Sequence, residues 1–432
     1  MKFYLISTLC LILIGLVLAE EKNYVGTWGT ALYGQRDGMD LDLEGNSFRE
    51  IVRTSIPGEV LRFRFSNIFS QSELEILSVH VARSAGQGTG AIVLDTDTPI
   101  TFNGHDSVTL DAHAEIVSDD IPFDLKPLDE LAITIHYGKV PLEKTSHETS
   151  RTFSFFEFGD AVSKEQFVDT YKIQRYLSLS GIDVLDNERK YEAIVCYGDS
   201  ITDGRGSTTD HQDRWPDVLS ERLQSSPYTQ HFAILNKSIG ATTLGGNSSD
   251  KYPTALGRFE RDIIEENNVK YMIVLYGVND ITSRRSADDM INDFKQLISE
   301  AHKLGITVYG SPILPCETSN GWDEEMAAVK SKVNDWIVNT LASEGGFDAV
   351  VDLATPLGES SAPLTLNPAL SDGDGLHPNG LGYKAMGYAV DLGLFINDVE
   401  AVETNNESET EYVDTEIEDE IDSAEESNSD LE

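Results

Sequence analysis

Three short segments hold side chains whose types and spacing fit nucleophilic acyl chemistry. The first is Tyr197-Gly198-Asp199-Ser200-Ile201-Thr202-Asp203-Gly204. It follows a short apolar run, Ala193 to Tyr197, that reads as a strand. Ser200 therefore falls just beyond the carboxyl end of a strand, where open parallel sheets bind their ligands. A serine in a Gly-Asp-Ser turn is, on its own, more often a helix cap. The strand before it and the helix after it raise the reading as a nucleophile. A hydroxyl needs a base to become one. Asp372-Gly373-Asp374-Gly375-Leu376-His377-Pro378 offers His377, with Asp374 three residues before it. That spacing can set the carboxylate against one imidazole nitrogen while the other faces Ser200. Read alone, His377 would be a structural loop histidine; Asp372 is a second candidate to orient it. The third segment, Tyr276-Gly277-Val278-Asn279-Asp280, ends another apolar strand. The Asn279 amide can donate to a developing oxyanion, although asparagine also serves turns and caps. Asp280 reads as structural.

Those segments need a frame. From about Tyr191 strands alternate with helices: Ala193 to Tyr197, a helix Trp215 to Leu223 with Pro216 in its first turn, and a strand Tyr271 to Tyr276. A helix Ser286 to Leu304 capped by Ser286, a strand Ile306 to Ile313 and a helix Asp323 to Leu341 follow. A strand Asp348 to Leu353 and a last helix Leu381 to Phe395 complete the series. Such alternation implies a doubly wound α/β domain, a parallel sheet covered on both faces, over 189–398. The chain before it has a different rhythm. Leu61, Phe63 and Phe65 alternate with Val60, Arg62 and Arg64, which places the first three on one strand face. Arg49 to Thr54, Leu74 to Ala82, Ala91 to Leu94, Leu131 to His136 and Tyr176 to Ile182 read as further strands, separated by Pro57-Gly58, Gly86 to Gly90 and Asn103-Gly104. This implies an all-β sandwich or jelly-roll over 20–188.

Composition sets the compartment and excludes partners. The 432 residues carry a formal net charge of −42, which opposes binding to nucleic acid. Fourteen acidic and no basic side chains lie in 401–432, a tail of disordered composition spanning 399–432. The first 400 residues still carry −28. Lys2, the apolar run Leu5 to Leu18 and Val17-Leu18-Ala19 read as a signal peptide over 1–19, cleaved after Ala19. The run is too short for a stable membrane anchor, so the mature protein is expected to be secreted. Cleavage leaves two cysteines, Cys196 and Cys316. Cys196 sits inside an apolar strand and reads as a buried free thiol rather than half of a disulfide. No Cys-x-x-Cys or His-Glu-x-x-His spacing appears, so no metal site is expected.

The three segments, in this order, resemble three of the four signature blocks of the GDSL, or SGNH, hydrolases: Gly198-Asp199-Ser200, Gly277-x-Asn279-Asp280 and Asp374-x-x-His377. The resemblance implies Ser200 as nucleophile, Asp374 and His377 completing the triad, and an oxyanion hole built by the Ser200 amide, a glycine amide and Asn279. The fourth block departs from the pattern. In Asn236-Lys237-Ser238-Ile239-Gly240-Ala241-Thr242 the family's glycine falls on Ala241, with Gly240 before it. Alanine also has an N–H, but a left-handed backbone there would cost it roughly 1–2 kcal/mol. Val25-Gly26-Thr27-Trp28-Gly29-Thr30, Val52-Arg53-Thr54-Ser55 and Arg214-Trp215-Pro216-Asp217 are similar to a secreted subgroup with an N-terminal β-domain. Trp28 could reach the cleft, though a core tryptophan is the simpler reading.

The resemblance implies a secreted serine esterase that uses no cofactor and removes short acyl groups, chiefly acetyl, from small-molecule or polysaccharide esters. A lipase or arylesterase of the same family and a non-catalytic carbohydrate-binding protein are the alternatives. Asn247-Ser248-Ser249 and Asn406-Glu407-Ser408 are glycosylation sequons. Asn236-Lys237-Ser238 is a third, expected to stay unmodified because it lies in a catalytic block.

Overall fold

A computed structural model describes residues 22–36, 41–167 and 171–396. The signal segment, the acidic tail and the Asn406 sequon lie outside the described residues. Among those described, no helix is long and apolar enough to cross a membrane.

The N-terminal half is antiparallel. One sheet runs in the order Tyr24–Gly29, Leu179–Leu185, Gly58–Ser66, Glu115–Val117, with Ile121–Leu125 also on Gly58–Ser66. A seven-stranded sheet centres on Ser47–Arg53, Glu130–Tyr137 and Leu74–Arg83. A small third sheet joins Tyr33–Gly34, Thr145–Glu148 and Arg175–Leu177. The alternation in Gly58–Ser66 works on both faces. Leu61, Phe63 and Phe65 are fully buried in the apolar core. Arg62 and Arg64, on the opposite face, reach Asp183 and Glu266. The stretch Tyr176 to Ile182 is not one strand. Ser178 takes φ 62°, a turn that a continuous strand does not contain. The chain leaves the small sheet at Leu177 and joins the five-stranded one at Leu179.

From Glu192 onward the sheet is parallel, in the order Phe232–Asn236, Glu192–Gly198, Val269–Leu275, Thr307–Gly310, Ala349–Val350. This is the flavodoxin-like order 2-1-3-4-5, whose switch point lies between the first and third strands. Helices Trp215–Ser225, Ala287–Lys303, Glu324–Asn339 and Gly380–Ala389 belong to this half. Ser286 caps the second through Asp289 N–H, and Asp323 caps the third through Met326 N–H. Three expected elements are shorter than read. The strand from Ile306 ends at Gly310, the one from Asp348 keeps only Ala349–Val350, and the last helix ends at Ala389. There Val390 turns extended, and the Asp391 carboxylate accepts from Gly393 N–H at 2.8 Å, starting a separate short turn Leu392–Phe395. A side chain that captures a nearby N–H offers the backbone an alternative to the helix. Cys196 and Cys316 are both buried and free.

The two halves share one apolar core. Tyr24–Gly29 packs along the outer parallel strand Phe232–Asn236. Gly29 permits the approach, because a Cβ there would stand 3.0 Å from Lys237 Cε. Ile234 N–H donates to Ser55 Oγ at 3.1 Å, and Lys237 Nζ donates to Thr30 O at 3.1 Å.

Candidate active site

The switch point gathers the three segments. Gly198 ends its strand against Thr202; a Cβ there would lie 2.3 Å from Thr202 Oγ1 and 2.8 Å from Leu275 O, so the turn requires glycine. Asp199 then caps a four-residue helix, Ser200–Asp203, by accepting Ile201 N–H at 3.1 Å. Burial pushes the Asp199 carboxyl up to about 7. Gly204, at φ 97°, closes the helix by donating its N–H to Ser200 O at 3.0 Å. Ser200 thus stands at a helix N-terminus, where backbone N–H groups favour negative charge.

The loop before helix Gly380–Ala389 carries Asp374 and His377. Asp374 Oδ1 accepts the N–H groups of Leu376 and His377 at 2.9 and 2.8 Å, and Oδ2 lies 2.6 Å from His377 Nδ1. Nδ1 faces a carboxylate, so it carries the proton, and Nε2 is left to accept. Ser200 Oγ lies 2.8 Å from Nε2 and donates to it. Asp372 does not reach the ring through a hydrogen bond. Its Oδ1 accepts Asp374 N–H at 3.1 Å, and its own N–H donates to His377 O at 3.0 Å. It shapes the loop rather than orienting the imidazole.

The surroundings tune the pair. Burial pushes the His377 pKa down, the Arg205 guanidinium adds to this, and Asp374 opposes it. Burial alone would raise the Asp374 carboxyl, but the backbone N–H, side chain and charge of His377 hold it well below the usual carboxylate range. Arg205, half-exposed, lies 3.5 Å from Asp374 Oδ2. Asp372, Asp374 and His377 bring ligand-type atoms within 4.8 Å of one another. Asp374 and His377 are, however, committed to each other and to Ser200 by the bonds just described.

The remaining predicted residues lie on other segments. The position of a Cβ on Gly240 is 3.6 Å from Ser200 Cβ, so this loop packs directly on Ser200. Ala241 takes φ 60°. The backbone there is the left-handed one that suits glycine. Replacing Ala241 by glycine is expected to raise stability by about 0.5–1 kcal/mol, the steric relief less the entropy of a freer unfolded chain. A denaturant midpoint shifted downward in Ala241→Gly would count against this. Asn279 spends one amide proton on Thr242 O at 3.0 Å, which ties it to the same loop. Asp280 is structural, accepting Leu244 N–H at 2.9 Å and Arg285 Nη1 at 2.7 Å. Trp28 is 7% exposed and packs edge-on against Tyr176 at 5.3 Å, a core residue. Asn236 donates its amide to Thr202 O at 2.8 Å. Sequence reasoning missed a second buried constellation beside Ser200, Asp203 with His147 and Arg151. Of the three, only Asp203 falls within one of the sequence motifs.

Residues 196–385 match the model of the GDSL-like lipase/acylhydrolase family. Comparison with curated proteins gives no match. Among solved structures, the chain is similar to a G-D-S-L family lipolytic protein from Desulfitobacterium hafniense: 20% identity, 46% of this chain and 96% of that one, TM-score 0.36. It is also similar to an acetylxylan esterase from Geobacillus stearothermophilus: 19% identity, 46% and 91% coverage, TM-score 0.34.

Proposed function

We propose that the protein is a secreted serine ester hydrolase that removes short acyl groups, chiefly acetyl, from carbohydrate esters. The observation that carries the hydrolytic part is the unbroken chain Ser200 Oγ to His377 Nε2 at 2.8 Å and His377 Nδ1 to Asp374 at 2.6 Å. In this reading Ser200 attacks the ester carbonyl as His377 takes its proton. Asp374 holds the tautomer and stabilises the imidazolium. The amides of Ser200 and Ala241 and the side chain of Asn279 receive the oxyanion. His377 returns the proton to the leaving alcohol, and water repeats the cycle on the acyl-enzyme. The acetyl and carbohydrate preference draws on the resemblance to a secreted subgroup. Asn247, exposed on its loop, would carry a glycan.

Acetate release from acetylated xylan and from 4-nitrophenyl acetate tests the reading. A higher kcat/KM on the sugar ester supports the carbohydrate preference. Turnover of the aryl ester alone would point to the arylesterase alternative. No turnover by folded protein would favour a non-catalytic carbohydrate binder. The pH profile is a second test. His377 must be neutral to accept a proton, and its pKa is pushed down from 6.5 by burial. The acid limb of kcat/KM should therefore fall below pH 6.5, with activity retained from pH 8 to 6.5 and lost as pH drops through the lowered pKa. An acid limb centred above pH 7 would contradict this assignment.

A further inference from the structure

The helix that carries Ser200 has four residues, too few to hold its own shape. Its last residue, Asp203, is 4% exposed, and its carboxylate is gripped from the β half. Oδ1 lies 2.8 Å from His147 Nε2, and Oδ2 lies 3.1 Å from Arg151 Nη2. His147 Nδ1 lies 2.8 Å from Ala31 O. A carbonyl and an ionised carboxylate only accept, so both ring nitrogens of His147 face acceptors. His147 lies on the strand Thr145–Glu148, and Arg151 lies in the strained turn that follows it. Thr149 and Arg151 both take φ 62°, and for a β-branched threonine that is an outlier. Such strain persists where surrounding contacts over-determine the backbone, and it clusters at functional sites. Asp203 also touches the other side of the site. Its Oδ2 is 3.4 Å from the position of a Cβ on Gly240, the same point that lies 3.6 Å from Ser200 Cβ.

We propose that His147 and Arg151 are positioning residues of the hydrolytic reaction. Through Asp203 they fix how Ser200 meets His377 and the Gly240–Ala241 loop, which makes the β half an integral part of the active centre. The inference rests on the hydrolase reading above. A displacement of about 1 Å in such a site costs on the order of 100-fold in rate. It acts on the transition state, so kcat falls and KM stays nearly constant.

The test uses the full chain as wild type, Ser200→Ala, His147→Phe, His147→Gln and Arg151→Met, with 4-nitrophenyl acetate as substrate. Active sites are counted by stoichiometric labelling with a serine-reactive phosphonate, so a lower folded fraction is not mistaken for slower chemistry. His147→Phe should lower kcat per labelled site by about 30-fold or more, with KM within about twofold. His147→Gln, which keeps one donor, should recover about a third or more of that loss, and Arg151→Met should lie between. If the phenylalanine variant does not fold, the other two carry the same comparison. Ser200-dependent turnover with kcat per labelled site unchanged in the variants overturns the inference alone. Wild-type turnover no greater than that of Ser200→Ala overturns the hydrolase reading, and the inference with it.

Discussion

Replacing Ser200 by alanine is expected to lower kcat for ester hydrolysis by about 10⁴-fold or more. Without Oγ there is no acyl-enzyme, and His377 could at best activate a water molecule for direct attack. The residual rate would come from the oxyanion donors and from binding. The loss should not be a folding effect. The Asp199 cap and the Gly204 closure are formed by other groups and survive the change. The melting temperature should therefore stay within a few degrees of wild type. His377→Ala should cost nearly as much, and the double variant little more, because the residues act as one unit. A Ser200→Ala variant that kept a tenth of wild-type kcat would remove serine from the mechanism.

The second large effect concerns the joint between the halves. Glu266 is 2% exposed on its side chain, with Arg64 on one side and Lys237 at 2.6 Å on the other. Arg64 donates through both terminal nitrogens, at 2.9 and 2.5 Å. Asp183, fully buried, accepts Arg62 Nε at 2.9 Å in the same network. Glu266→Ala leaves two cations facing each other without the carboxylate between them, Lys237 keeping only Thr30 O and Arg64 only Asp183. The expected loss is about 3–5 kcal/mol, the range for breaking a buried pair from one side. The pH dependence has a defined sign. Burial raises the Glu266 carboxyl, but Arg64 and Lys237 outweigh it and set the folded pKa below 4.5. Its contribution is then present above the unfolded pKa and lost as pH falls through the folded one. The gap between wild type and variant in denaturant midpoint should be full at pH 7 and shrink below about pH 4. An equal midpoint at pH 7 would show that the network contributes no net stability.

Much of this was legible from local pattern. Period-two alternation placed Leu61, Phe63 and Phe65 inside, and a side chain that bonds its own backbone placed the cap at Ser286. The Ser200, His377 and Asp374 contacts were legible because the acid and base share one short loop. The outer strand Phe232–Asn236 was overlooked, since five residues between polar turns carry no clear period. So was the irregular turn of helix over Ala255–Ile264, whose Arg258 donates to Lys237 O at 2.6 Å and to the Tyr276 hydroxyl at 2.5 Å. Pairings between the halves left no local trace. Asp203 and His147 are 56 residues apart, and Arg64 and Glu266 are 202 apart. Periodicity tells which face of an element is apolar; it does not tell which distant charge that face will meet.

The packing of Tyr24–Gly29 along Phe232–Asn236 bears on how the hydrolytic half stays dispersed. A parallel sheet that ends in an uncovered strand offers unpaired backbone groups to any neighbouring chain, and proteins guard such edges against association. Here the guard is the N-terminal strand, with Ser55 Oγ taking the outward Ile234 N–H. The antiparallel half thereby acts as a built-in shield. A fragment starting near residue 190 would expose the Phe-Ala-Ile-Leu row edge-on and is expected to self-associate, even with Ser200, His377 and Asp374 all present.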